Sequence, residues 1–236
     1  MSTPLSSNAP GPVATRLFFT DFEGKPAEPE DVFADALDGG WADREPEAIA
    51  LLNDNTAAPY DRFLACTALC AWGSPVGYQA AVDVAGDPDE VVWKDYSADA
   101  RYGVDDTFAL LAEDVGQSVD IAHERGTNGQ RLAALAALLR LTPDYYFERR
   151  LVQSLYEDDV RVLAPEIDPA IEAGINKIKR GEQLSFDLGT QVAGLIRTLQ
   201  RVDPQRAQLR ANELIATGPG ERALRELGDL VTTDTR

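Results

Sequence analysis

The chain of 236 residues is poor in the side chains that most often carry chemistry. It has one histidine, His123, one methionine and two cysteines, Cys66 and Cys70. A structural or catalytic metal needs three or four ligands, so zinc is not expected, and no metal or other cofactor is assigned. Two cysteines four residues apart cannot build a disulfide framework; beside Phe63 on one helix face they read as small core residues. Lysine occurs only at 25, 94, 177 and 179, and the other basic residues are arginine. That bias, with abundant alanine, is what a GC-rich bacterial coding sequence leaves. No run of roughly 18 apolar residues is present, which argues against a membrane-spanning helix. Met1–Thr15 lacks a basic segment followed by an apolar core, so no secretory leader is read there and cytoplasmic residence is the expectation. EF-hand spacing, a Walker loop, GxSxG and HExxH are all missing.

Acid is in excess. There are 40 Asp and Glu against 22 Lys and Arg, a net charge of −18. The excess is uneven. Residues 1–130 hold 24 acids and 7 bases, whereas 131–236 hold 16 and 15. A field of that sign repels nucleic acid and anionic membranes and attracts cationic surfaces. It also serves solubility.

Helix signals run along the chain. Short helices are expected from Pro29 to Leu37, ended by Gly39-Gly40, and from Glu45 to Leu52. Pro59–Trp72 follows, stopped at Gly73. Ser74-Pro75 restarts a helix with an N-cap and a proline at the first position, running to Gly86. Asp105-Asp106-Thr107 opens a long helix to Gly126, with Phe108, Leu111, Val115, Val119 and Ala122 at helical spacing. Gln130–Leu141 is helical, and Thr142-Pro143-Asp144 begins another. The last helices are expected near 165–180, 186–201, 203–217 and 221–230, with Asp168-Pro169 and Asp203-Pro204 as start signals. Arg16–Thr20 is the one stretch resembling a strand. The fold class is all-α.

The chain resembles itself at an offset of 69 residues. Arg62, Ala65, Ala68 and Leu69 recur as Arg131, Ala134, Ala137 and Leu138, and Asp89-Glu90-Val91 recurs as Asp158-Asp159-Val160. A fixed offset over separated stretches is the mark of stacked repeats. The pattern Arg62-x-x-Ala65-x-x-Ala68-Leu69, a turn at Gly73-Ser74-Pro75, a second helix and then Asp87-x-Asp89-Glu90-Val91 resembles a HEAT repeat. Leu155-Tyr-Glu-Asp-Asp-Val160-Arg161-x-x-Ala164 resembles that family's signature more closely still. The resemblance implies an α-solenoid of helix pairs and, since such proteins are mostly binding scaffolds, a non-enzymatic role. The expected organisation is a tail at 1–15, a helical cap at 16–58, repeats at 59–230 and a tail at 231–236.

One segment mixes acids with aromatics. Asp87, Asp89, Glu90, Asp95, Asp99, Asp105 and Asp106 surround Trp93, Tyr96 and Tyr102. Aromatic anchors in an acidic frame suit a surface for a basic partner. Packing of Val91 and Trp93 at a repeat junction explains the same residues without a partner. Capping and helix-dipole complementarity likewise explain Asp105-Asp106 and Asp158-Asp159. The expected function is capture of a basic protein, with inhibition of an immunity or antitoxin kind as the concrete form and no binding of nucleic acid or membrane. An all-α enzyme with a carboxylate-lined cleft and a passive assembly scaffold are the alternatives.

Overall fold

The computed structural model describes residues 9–94, 103–147 and 149–231, and these are helical apart from turns, irregular loops and isolated bridge positions such as Thr20 with Pro26. No helix among them is long and apolar enough to cross a membrane. The order is α1 Pro12–Phe18, α2 Pro29–Asp35, α3 Trp41–Asn53, α4 Pro59–Ala71, α5 Pro75–Gly86, α6 Thr107–Gln117, α7 Val119–Glu124, α8 Asn128–Leu139, α9 Arg150–Gln153, α10 Glu157–Lys179, α11 Leu188–Gln200, α12 Pro204–Ile215 and α13 Glu221–Leu227. Contacts divide the chain into two units, Met1–Leu135 and Ala136–Arg236.

In the first unit α4 is the hub. It packs against α1, α2, α3, α5 and α6. Its sequence is apolar nearly all round, and Phe63 to Cys70 are all buried, as a helix with no polar face must be. Gly77 lets α5 approach it: a Cβ there would stand 2.7 Å from the Cys70 nitrogen. Cys66 and Cys70 are free and wholly buried, and burial pushes the Cys70 thiol well up. Phe18, Phe33 and Trp72 close one end as an aromatic cluster, with Phe18 edge-on to Phe33 at 5.8 Å. The Trp72 indole donates to the Phe33 carbonyl at 3.3 Å.

In the second unit α11 has the same role, packed by α9, α10, α12 and α13. Leu188, Thr190–Ile196, Thr198 and Leu199 are buried. Its start is capped, since Asp187 accepts from the Thr190 amide at 3.0 Å.

Four local expectations change. Residues 16–18 end helix α1, with Leu17 and Phe18 turned into the core, so the strand-like run is not a strand. The same helix takes in residues 12–15. The single helix expected over 105–126 breaks at Ser118, whose hydroxyl donates to the Val115 carbonyl at 2.8 Å and pairs with the Tyr78 hydroxyl at 2.6 Å. Thr142-Pro143 starts no helix. Gln191 reaches from α11 and satisfies that turn, donating to the Thr142 and Tyr145 carbonyls and accepting from the Phe147 amide. Asp168-Pro169 is not a start either: α10 runs through Pro165 and Pro169 for 23 residues. Each interior proline removes a helical hydrogen bond. The continuous stripe of Val160, Leu163, Ile167, Ile171 and Ile175, all buried, holds the helix together across both.

Candidate partner-binding surface

The residues expected to bind a partner part company in the structure. Asp95, Tyr96, Asp99 and Tyr102 lie outside the described residues. Asp87, Asp89 and Glu90 are exposed just beyond α5. The Lys94 ammonium donates to Asp89 at 3.0 Å. Trp93 is only 3% exposed and stacks on Phe63 at a centroid distance of 5.5 Å, so it packs into the core and does not project as an anchor. Asp106 is buried just before α6, where its side chain makes no cap bond, and Asp105 accepts from the Thr107 amide at 3.2 Å. The structure therefore separates an exposed acidic trio from a buried indole and from two aspartates at the start of α6.

Beside Trp93 lies a cleft of about 480 Å³. Its α5 wall is Pro75, Val76, Gln79, Ala80, Asp83 and Val84, which share one face of that helix. The opposite face of α5, with Gly77, Tyr78 and Ala81, is buried in the core. Leu52, Asn53, Arg62 and Trp93 complete the cleft. Asp83 is the carboxylate on its lining and accepts from the Gln79 amide at 2.8 Å. Asp87, Asp105 and Asp106 are not on that lining.

The negative field follows from composition, 24 acids against 7 bases over residues 1–130, and the structure shows where the few arginines are placed. Four arginines of the first unit are aimed at the ends of helices. Arg44 donates to the Leu17 carbonyl at 2.5 Å, at the end of α1. Arg62 donates to Leu52 at 3.0 Å, at the end of α3. Arg125 donates to Trp72 at 2.7 Å, just past α4, and Arg131 to Gly116 at 3.2 Å, near the end of α6. The last carbonyls of a helix have no partner within it and carry the negative end of its dipole, so a guanidinium serves both needs. Arg44 also lies over the Phe22 ring at 3.9 Å, and Arg125 over Trp41 at 4.0 Å while pairing with Glu45 at 2.8 Å. These four arginines hold helix termini, while Arg16 pairs with Glu47, Lys25 with Glu23, Lys94 with Asp89 and Arg125 also with Glu45. Among the described residues no ion pair holds Asp83, Asp87 or Glu90.

The second unit uses its charges differently. Arg210, almost wholly buried, donates to Asp168 at 2.7 and 3.1 Å, to Glu172 at 2.6 Å and to Glu213 at 2.9 Å. Arg206 adds two bonds to Asp168 at 2.6 and 2.9 Å. The two guanidinium groups hold the Asp168 carboxyl far below the usual carboxylate range. This network joins α10 to α12. In the first turn of α10, Asp159 accepts from the Tyr156 amide at 3.3 Å, and Asp158 pairs with Arg161, so this acidic pair has capping and surface roles. Among the described residues no cluster of three or more His, Cys, Asp or Glu side chains is placed to hold a metal ion.

No family model, curated protein or solved structure matches the chain.

Proposed function

We propose that this chain is a non-enzymatic helical binding protein whose first unit captures a basic protein partner, in the manner of an immunity or antitoxin protein that occludes a cationic site. The observation that carries this reading is where the first unit's arginines point. With Arg44, Arg62, Arg125 and Arg131 on helix-end carbonyls, few cations remain for the acids of residues 1–130, where 24 acids face 7 bases. A field of one sign steers an oppositely charged partner and raises its association rate by tenfold or more at low salt.

The HEAT-like α-solenoid remains the architecture we favour. Arg62 and Arg131, one repeat offset apart in sequence, each donate to a carbonyl close to the C-terminal end of an earlier helix. That shared role is what successive units of a repeat would keep.

Affinity capture with the full chain from the source cell at low salt, followed by binding kinetics with the purified captured protein, tests the reading. The expected partner is basic, and its association slows steeply as salt rises. A neutral or acidic partner whose association ignores salt would refute capture by charge.

A further inference from the structure

The geometry around α5 points to a more specific device: the cleft between α5 and Trp93 is the seat for a basic amphipathic segment of the partner, which supplies the anchor side chain that this chain does not. This inference rests on the capture of a basic protein proposed above and locates it. An exposed aromatic on this surface would make the chain the donor of the anchor. Trp93 is instead buried against Phe63 and forms part of a concave wall. Val76, Ala80 and Val84 recur every four residues along α5 and face the same hollow, each only half-buried. An apolar stripe at that spacing is what a helix offers to a second helix laid along it. The cleft volume of about 480 Å³ is comparable with that of small-molecule pockets, about 300–1,000 Å³, and so has room for anchor side chains.

Charge selects the occupant. Asp83 stands on the lining, and Asp87, Asp89 and Glu90 follow directly after α5. A partner helix with leucine-like anchors along one face and lysine or arginine flanking them satisfies both features. Arg62 sits on the lining with its Nε engaged by Leu52. Its terminal nitrogens suit carbonyl oxygens of the partner and disfavour a base at that end, which fixes the partner's direction. An acidic amphipathic segment would match the apolar stripe and meet four carboxylates.

Three fluorescent 18-residue peptides serve as probes: leucine and lysine at helical spacing, the same composition scrambled, and leucine and glutamate at helical spacing. The full chain is expected to bind the patterned lysine peptide at least tenfold more tightly than the scramble, and the glutamate peptide not measurably. Ala80→Trp, which fills the cleft, and Val84→Lys, which places a cation in it, should each weaken the patterned peptide at least tenfold. Circular dichroism melts show whether these variants fold. Amide exchange on the unaltered chain is a second readout, with protection expected at residues 76–84 when the peptide is bound. Equal binding of patterned and scrambled peptides, or protection elsewhere, overturns the cleft and leaves charge capture standing. Failure of every lysine peptide to bind even at low salt overturns both. Sedimentation that shows dimers dissolved by either variant would assign the cleft to a second copy and overturn the basic-partner assignment. Displacement of the peptide by an uncharged hydrophobic dye, with no loss on neutralising Asp83 and Asp87, would assign it to a small molecule.

Discussion

The two units are built around equivalent hubs but use their arginines differently. In Met1–Leu135 the helices are held by apolar and aromatic packing on α4, and four arginines are directed to backbone carbonyls at helix ends, beside the ion pairs of Arg16 with Glu47 and Arg125 with Glu45. In Ala136–Arg236 side-chain ion pairs span the helices, with Arg210 and Asp168 at the centre. The difference in net charge itself is compositional, 24 acids against 7 bases over residues 1–130 and 16 against 15 over 131–236. Pairing does not alter that count; it decides which acids stand beside a cation and which do not.

If the first unit depends on packing, its largest single loss is at the aromatic cluster. Trp72→Ala should destabilise the α1–α4 region by about 4 kcal/mol, since it empties a fully buried site and frees the Phe33 carbonyl. Amide exchange read helix by helix would show this loss to be insensitive to salt. The matching change in the second unit is Arg210→Ala. It leaves Asp168 with one guanidinium and removes the bonds to Glu172 and Glu213, at a cost of about 3 kcal/mol. Exchange should rise in α10 and α12. Equal salt dependence for the two variants would erase the contrast between the units.

Acid should separate the units as well. The Asp168 carboxyl is depressed by Arg210 and Arg206 in the folded chain. Its stabilisation is complete above its unfolded value, about 3.9, and is lost as pH falls below that toward the lower folded value. Protection of α10 and α12 should therefore weaken below about pH 4, and Asp168→Asn should remove that dependence. Smaller again is Arg62→Ala, which should cost about 1–2 kcal/mol by leaving the Leu52 carbonyl without its charged donor. A fray at the end of α3, seen as faster exchange there, is the expected sign. Smallest is the exchange of Asp87, Asp89 and Glu90 for lysine, which should move stability by no more than about 0.5 kcal/mol, as exposed surface changes do.

Much of the helical content was legible in the sequence, and the reasons are local. Pro59, Pro75 and Pro204 stand where a missing amide costs nothing, so each marked a true start. Pro165 and Pro169 carry the same local signal inside a helix, and only the apolar stripe running past them, anchored by Asp168 to α12, distinguishes the two cases. The break at Ser118 depends on Tyr78, and the turn at 141–147 on Gln191, partners 40 or more residues away. For the surface, sequence offered both a partner-binding segment and an inward-packed Trp93, and only the structure, with Trp93 buried and Asp87, Asp89 and Glu90 exposed, chooses the second for the indole. Trp93 faces Phe63 because the chain after α5 folds back onto α4, which no spacing rule contains. The arginine contacts with helix ends were equally hidden, since composition counts a cation without its acceptor.

The most direct measurement compares neutralisation of acids in the two units against one basic partner. One variant carries Asp83→Asn, Asp87→Asn and Glu90→Gln; the other carries Glu157→Gln, Asp158→Asn and Glu182→Gln. Association rates are measured by stopped flow across a salt series. The first variant should associate several-fold more slowly than the unaltered chain at low salt, with a shallower salt dependence, and the second should match the unaltered chain. Equal slowing by both variants, or by neither, would contradict the claim that the first unit's uncompensated acids steer the partner.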